Sequence, residues 1–411
     1  MTNVGKGRIN DIEALRAVAI GFTLFMHMSW LFTWGNKFLE AKNHYFNFST
    51  GVDLFFAISG FVIARSLLPQ LDAARSPKET ATTIAAFWIR RVFRIWPLSW
   101  LWLSVLGVCS LLLSTGPNAF APVAVQFNDI VAAVLQVANI HWWQCVADKT
   151  RCGQTLVWWS LSLEEQFYIA LPVAIIVFRK RLHLFLAAVV LIQFFLPRPP
   201  ATASILWWIR TDALALGVLV AMLERTSIYS LLEPTFMAAR RYGLPLVLLI
   251  VVLLAACTGI PGIRPDPAFF STGIAAVLSA LLVLIASYNK GYILTSRRMA
   301  PFILWLGSRS FAIYIIHTIM IGFTVHIWRW IEPEGIVFTG RHTLRFFLTW
   351  LILLVTFAEL SYRFCEVPMR EKGRELARRM LARGHAEDGV VNIDTGTLGS
   401  RASKADSRAA P

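Results

Sequence analysis

Arg16 and His27 stand in one apolar segment, Glu13–Trp34, long enough to cross a bilayer. At 100° per residue their spacing comes to about 20° past three full turns, so both side chains share one helix face. At 1.5 Å per residue they lie roughly 16 Å apart, about half of a ~30 Å hydrocarbon core. A guanidinium near one membrane face is suited to anion binding, and an imidazole deep inside titrates near neutral pH. Both are costly in lipid, so each requires a partner or a task.

Four further polar residues fall at similar depth in other apolar segments. Counted from the span ends, His27 lies about 20 Å from the cytoplasmic side, Asp53 about 24 Å, Glu164 about 18 Å, Arg210 about 20 Å and His317 about 21 Å. Taken singly, each reads as a hydrogen bond between packed helices. Taken together, five ionisable groups in one layer imply mutual pairing around a polar cavity. Ser160, Glu164 and Tyr168 form an i, i+4, i+8 polar stripe, so Glu164 is expected to face the interior, and Glu165 to bond to a neighbouring helix. Arg90, Arg91 and Arg94 stand at the entrance of the third span. They read either as ordinary positive-inside topology or as an anion site, and spacing alone does not separate nucleotide phosphates from lipid head groups. Trp158-Trp159 reads as an interfacial belt, with a sugar-stacking platform as the functional alternative.

The elements that must position these groups follow from composition. Hydrophobic residues make up 56% of the 411, and mean hydropathy is +0.59, so the chain is expected to be an all-α polytopic membrane protein. The net charge of +15 does not point to nucleic acid, because the cations cluster between apolar runs and in the tail. No cleavable signal peptide is expected: the first apolar run is too long and keeps Arg16.

Ten spans are predicted, at Glu13–Trp34, Ser49–Leu68, Ile95–Thr115, Leu156–Phe178, Leu182–Leu196, Ala203–Leu223, Tyr242–Gly259, Phe269–Tyr288, Ile303–Trp328 and Leu344–Phe364. An even number puts both termini on the cytoplasmic side, with the Arg90-Arg91-Arg94, Arg179-Lys180-Arg181 and Arg240-Arg241 clusters. Asp129–Trp143 is short for a span and reads as a re-entrant or interfacial segment. Cys145 and Cys152 then fall outside, as a disulfide or as two unrelated thiols, and no Cys/His spacing resembles a zinc site. Composition divides the chain into a membrane part, 1–370, and a basic cytoplasmic tail, 371–411. Glu371–Arg383 suits a basic amphipathic helix, and Gly384–Pro411 reads as disorder. No internal repeat is evident, which weighs lightly against an inverted-repeat transporter.

From Ile9 to Arg370 the segments together resemble the acyltransferase-3 family of integral membrane O-acyltransferases. The matching segments are Glu13-Ala-Leu-Arg16 with His27 at the family's Arg-x10-His spacing, Gly51-Val-Asp53 through Ser59-Gly60, and Arg90-Arg91-x-x-Arg94-Ile-x-Pro97. Trp159-Ser160 through Glu164-Glu165-Gln-Phe-Tyr168 and Arg210-Thr-Asp212 with Gly217 follow. Leu306-Gly-Ser308-x-Ser310-Phe-x-x-Tyr314-x-x-His317 and Ser361-Tyr-Arg363 with Glu366 and Pro368 close the match. Phe311 stands where the family more often has Tyr.

The resemblance implies transfer of an acyl group, most commonly acetyl, from cytoplasmic acyl-CoA to a hydroxyl of an extracytoplasmic glycan at the bacterial inner membrane. No bound cofactor is implied. Arg90, Arg91 and Arg94, with Arg16, would hold the CoA. His27 would act as general base on the acceptor or carry the acyl group itself, two schemes the sequence leaves open. Asp53 or Glu164 would orient the imidazole. Arg210 or His317 would stabilise the oxyanion, and Asp212 and Tyr168 are further substrate-side candidates. Many members carry a soluble esterase-like domain after the last span, which the forty-residue tail is too short to hold. Acceptor transfer is then expected on the membrane domain itself or through a separate glycan-assembly partner. The acceptor stays open among O-antigen, exopolysaccharide, peptidoglycan, a small glycolipid and a macrolide. The competing class is a transporter or flippase of lipid-linked saccharides.

Overall fold

The computed structural model describes residues 9–114, 120–196, 198, 204–259, 268–333 and 335–396. Among them there is no strand. In chain order the helices are α1 (Asn10–His27), α2 (Lys37–Asn43), α3 (Gly51–Ala73), α4 (Pro77–Leu113), α5 (Val123–Val134), α6 (Ala138–Ala147), α7 (Trp158–Phe178), α8 (Leu182–Phe195) and α9 (Ile205–Trp208). Then come α10 (Asp212–Leu223), α11 (Ile228–Leu231), α12 (Arg240–Ala256), α13 (Ser271–Ser287), α14 (Ala300–Ser308), α15 (Ser310–Ile331), α16 (Thr343–Ser361) and α17 (Val367–Gly396).

Six stretches are long and apolar enough to cross a membrane: Asn10–Leu31, Phe48–Ala73, Pro77–Leu113, Ile205–Leu223, Ser310–Ile331 and Gly340–Arg383. The other four predicted spans also coincide with helices, α7, α8, α12 and α13. Of these, α12 and α13, at 17 residues each, stand at the lower limit for crossing, and α8, at 14, falls short of it. Thr115 and Ala203, two predicted span ends, lie outside the described residues. The segment at Asp129–Trp143 is not a span. It is divided between α5 and α6, of 12 and 10 residues, by a turn at Gln136 with φ 59°.

Two predicted spans are interrupted. The Ala203–Leu223 stretch breaks between α9 and α10, and the Ile303–Trp328 stretch breaks at Arg309. At the first break the free backbone groups are satisfied by side chains: Trp207 O accepts from Arg210 Nη1 at 2.9 Å, and Gln193 Oε1 accepts from the Thr211 and Asp212 amides. An irregular segment at membrane depth needs such partners. This break holds Arg210 in place.

The core closes through glycines. A methyl added at Gly60 on α3 would collide with the Leu214 carbonyl of α10, and one at Gly217 with the Ala57 carbonyl of α3. Such close backbone approach is how membrane helices associate. Gly60→Ala is expected to destabilise the protein by about 1–3 kcal/mol. Gly21→Ala, whose methyl meets nothing within 4 Å, is expected to melt like the parent. Thermal melts in detergent compare the two.

α4 starts at a capped terminus, with Ser76 Oγ accepting from the Glu79 amide and Pro77 in the first turn. It continues well beyond a bilayer's thickness, and α17 packs along it, with Gly373 against Phe93. A π-turn at Tyr362–Glu366 joins α16 to α17. The predicted helix at Glu371–Arg383 thus lies within a longer one that reaches Gly396, so the backbone is helical past Gly384, where composition predicted disorder. Residues 397–411 lie outside the described residues.

Candidate active site and family

Five of the predicted site residues line one cavity. Arg16 from α1, Arg91 and Arg94 from α4, and Glu164 and Tyr168 from α7 surround a space of about 710 Å³, its open mouth included. Val52, Phe55 and Ile58 of α3 and Phe311 of α15 supply apolar walls. Arg16 is held by Glu13 one turn before it, at 2.7 Å. Arg91 lies over the Tyr168 ring at 5.4 Å. Neither Arg91 nor Arg94 is in an ion pair among the described residues. Arg90 is not part of this wall, because its guanidinium reaches Gln70 Oε1 at 3.1 Å. Spacing had grouped it with the other two. Glu164 faces the cavity as its stripe predicted, whereas Glu165 is buried at 7% exposure with Oε1 lacking a hydrogen-bond partner among the described residues.

One end of the cavity is formed by two hydroxyls, Ser160 and Tyr314, hydrogen-bonded at 2.7 Å. Behind Tyr314 lies the histidine pair. His317 Nδ1 is 2.8 Å from Tyr314 O, and His317 Nε2 is 3.1 Å from His27 Nδ1, which is also 3.0 Å from Thr23 O. A carbonyl can only accept, so His317 carries its proton on Nδ1 and, when neutral, offers a lone pair at Nε2. His27 Nδ1–H donates between that lone pair and Thr23 O. The proton-free nitrogen of His27 is therefore Nε2.

This corrects the expected orienting residue. Asp53 does not meet His27. It takes Arg210 in a two-pronged pair, Nε to Oδ1 at 2.8 Å and Nη2 to Oδ2 at 3.3 Å, with both side chains 3% exposed or less. Nor does Glu164 hydrogen-bond to His27; His317 occupies the orienting position. Neither predicted oxyanion stabiliser lines the cavity. Arg210 is committed to Asp53 and packed on Trp207 at 4.1 Å, and both His317 nitrogens are engaged. Asp212 pairs with Arg198 at 2.8 Å, away from the cavity lining. Trp158 and Trp159 are 1% and 5% exposed, so neither offers a face to a sugar. The hydroxyls of Ser160 and Tyr314 are the groups that sequence reasoning left without a role. Tyr314 stands one turn before His317, and that spacing was the available signal.

Outside the site, Cys145 and Cys152 are joined in a disulfide, with His141 beside them and hydrogen-bonded to Asp129 at 2.8 Å. His141 and the two sulfurs converge as metal ligands would, but sulfurs bonded to each other supply no thiolate.

The acyltransferase-domain family profile matches residues 9–359. The chain is similar to a Staphylococcus aureus (strain COL) protein provisionally named an O-acetyltransferase, 27% identical over 385 residues, covering 89% of this chain and 58% of that one. It is also similar to the peptidoglycan O-acetyltransferase OatA of Listeria monocytogenes, 25% identical over 394 residues, covering 90% and 57%. A Bacillus subtilis (strain 168) protein provisionally named a peptidoglycan O-acetyltransferase, YrhL, is 25% identical over 401 residues, covering 91% and 57%. The chain thus spans less than three fifths of the length of these relatives. None of the three bears a transporter's name. No solved structure matches. With the profile covering nearly the whole membrane part, the chain belongs to the acyltransferase-3 family.

Proposed function

We propose that the chain is a membrane O-acyltransferase that moves an acetyl group from acyl-CoA to a hydroxyl of an extracytoplasmic glycan. The observation that carries this reading is the relay from Tyr314 O through His317 to His27, which leaves a bare lone pair on His27 Nε2 near the inner end of an arginine-walled cavity. The names of the relatives point the same way, toward acetyl as the group and a glycan as the acceptor.

The steps follow from the groups present. Arg91 and Arg94, with Arg16, take the phosphates of CoA by charge-assisted hydrogen bonds. The apolar walls accept the pantetheine arm, which brings the thioester toward Ser160 and Tyr314. His27 Nε2 removes the proton of the acceptor hydroxyl, whose oxygen attacks the thioester carbonyl. With Ser160 Oγ–H donating to Tyr314 Oη, the Tyr314 hydroxyl donates to the oxyanion that forms. As the C–S bond breaks, the proton passes from His27 to the sulfur, so CoA leaves as the thiol and the glycan as the ester. If His27 instead carries the acyl group, the same lone pair attacks first and CoA is released before acceptor binds.

We further assign ten crossings to the helices at the predicted positions, in the inner membrane, with both termini cytoplasmic. The positions of the basic clusters support this arrangement. The bilayer, acyl-CoA and a saccharide or glycolipid are the partners it requires, with a separate glycan-assembly protein where final transfer needs one.

Arg94→Ala is expected to raise the KM for acetyl-CoA by at least about tenfold, the scale of one lost charge-assisted hydrogen bond. Arg90→Ala is expected to stay within about threefold. Steady-state kinetics with radiolabelled acetyl-CoA decide it. Equal effects from the two substitutions would mean that bulk positive charge, not the cavity, holds the donor.

A further inference from the structure

The arginine-walled cavity approaches the histidine pair from one end of α1 only. Its lining includes Arg16, Ser160 and Tyr314 but not His27. His27 is the last residue of α1 and keeps part of its surface accessible. The chain then tightens into the short turn Met28–Leu31, so the surface beside His27 is built by that turn, at the end of α1 away from Arg16.

Trp30 dominates this surface. Its ring centroid is 4.6 Å from that of His27, with the planes at 65°, yet the residue is 50% exposed. Its aromatic neighbours are used differently. Trp34 is packed edge-on against Phe346 at 5.0 Å, and Phe25 against Phe48 at 4.9 Å. Half of the Trp30 surface is left uncovered, directly beside the imidazole that the relay prepares as a base.

A pyranose fits that juxtaposition. One side of the sugar ring is a patch of C–H bonds that packs on a flat aromatic surface, while the hydroxyls radiate from its rim. A saccharide lying on the indole would place a rim hydroxyl next to His27. We infer that Trp30 is the stacking platform of the acceptor subsite, and that it binds a pyranose ring. This rests on the acyl-transfer reading above and adds to it the residue that receives the second substrate. An indole that only anchors the chain at a membrane interface needs apolar bulk; a stacking indole needs a flat ring.

The full-length protein in lipid nanodiscs, with labelled acetyl-CoA, tests this against the methyl glycosides of glucose, galactose, rhamnose and N-acetylglucosamine and against chitotetraose. Trp30→Leu keeps apolar bulk and Trp30→Phe keeps a flat ring. The expected result is a rise of about tenfold in saccharide KM for Leu, equivalent to ~1.4 kcal/mol. Phe stays within about threefold, and the KM for acetyl-CoA holds in both. A Trp30→Leu variant with the parent's saccharide KM overturns the inference, leaving Trp30 as an anchor. It is equally overturned if the parent releases CoA but acetylates none of the five saccharides. If the parent never cleaves the thioester, the acyl-transfer reading itself fails, a result distinguishable from either of the others.

Discussion

Replacing His27 with alanine is expected to lower acetyl transfer by on the order of 10³-fold while the KM for acetyl-CoA holds within about threefold. The proposed donor contacts, Arg16, Arg91 and Arg94, line the cavity and His27 does not, so donor binding is expected to survive the loss of the base. His317 acts through His27, and its removal is expected to cost about 10²-fold in kcat, because the His27 tautomer is no longer fixed. His317→Gln separates this role from simple packing. The glutamine oxygen can accept from His27 Nδ1–H as the imidazole lone pair does, so it should recover part of the rate that His317→Leu does not. Equal rates for the glutamine and leucine variants would mean that His317 only fills space. Single-turnover rates at saturating acetyl-CoA provide the readout.

Removing the Asp53 carboxylate is the second large effect, and it falls on folding. Asp53 and Arg210 are buried together, and Arg210 is wedged between the α9–α10 break and the Trp159 and Trp207 rings. Asp53→Ala leaves a guanidinium in the core without its counter-charge, a change of about 3–5 kcal/mol. The double variant Asp53→Leu with Arg210→Met removes both charges and is expected to recover most of that loss. Melting temperatures of the single and double variants in detergent check it. An Asp53→Ala protein that melts like the parent yet has lost transfer would return Asp53 to the chemistry, where sequence reasoning placed it.

That exchange of roles shows what the sequence carried. Helix positions were legible because apolar runs and cationic punctuation are local, and each predicted span has a helix at its place. The interruptions at 209–211 and at Arg309 were not, since a hydropathy window averages over one polar residue. The depth argument put five ionisable groups in one layer. Rise per residue, however, gives a height and no azimuth. It could not tell that Asp53 turns to Arg210 while His27 turns to His317. The arginine cluster shows the same limit. Arg90 and Arg91 both stand one turn before Arg94, and only the packing of α4 against α3 and α7 puts Arg91 in the cavity and Arg90 on Gln70. Tyr314 had a legible position, one turn from His317, but its hydroxyl acquires a purpose only when α7 brings Ser160 within 2.7 Å.

In the proposed chemistry this chain cleaves an acyl thioester at His27 and passes the acyl group to a saccharide hydroxyl. The most direct test follows the acetyl carbon. Purified protein in nanodiscs is given acetyl-CoA labelled on the acetyl group, together with a glycan acceptor, and the label is recovered as thioester, saccharide ester or free acetate. Label is expected to move from thioester to a base-labile saccharide ester with one CoA thiol released per acetyl. This flow is expected nearly to stop in His27→Ala. Thioester left intact by the parent protein, or the same flow of label with and without His27, would contradict this chemistry.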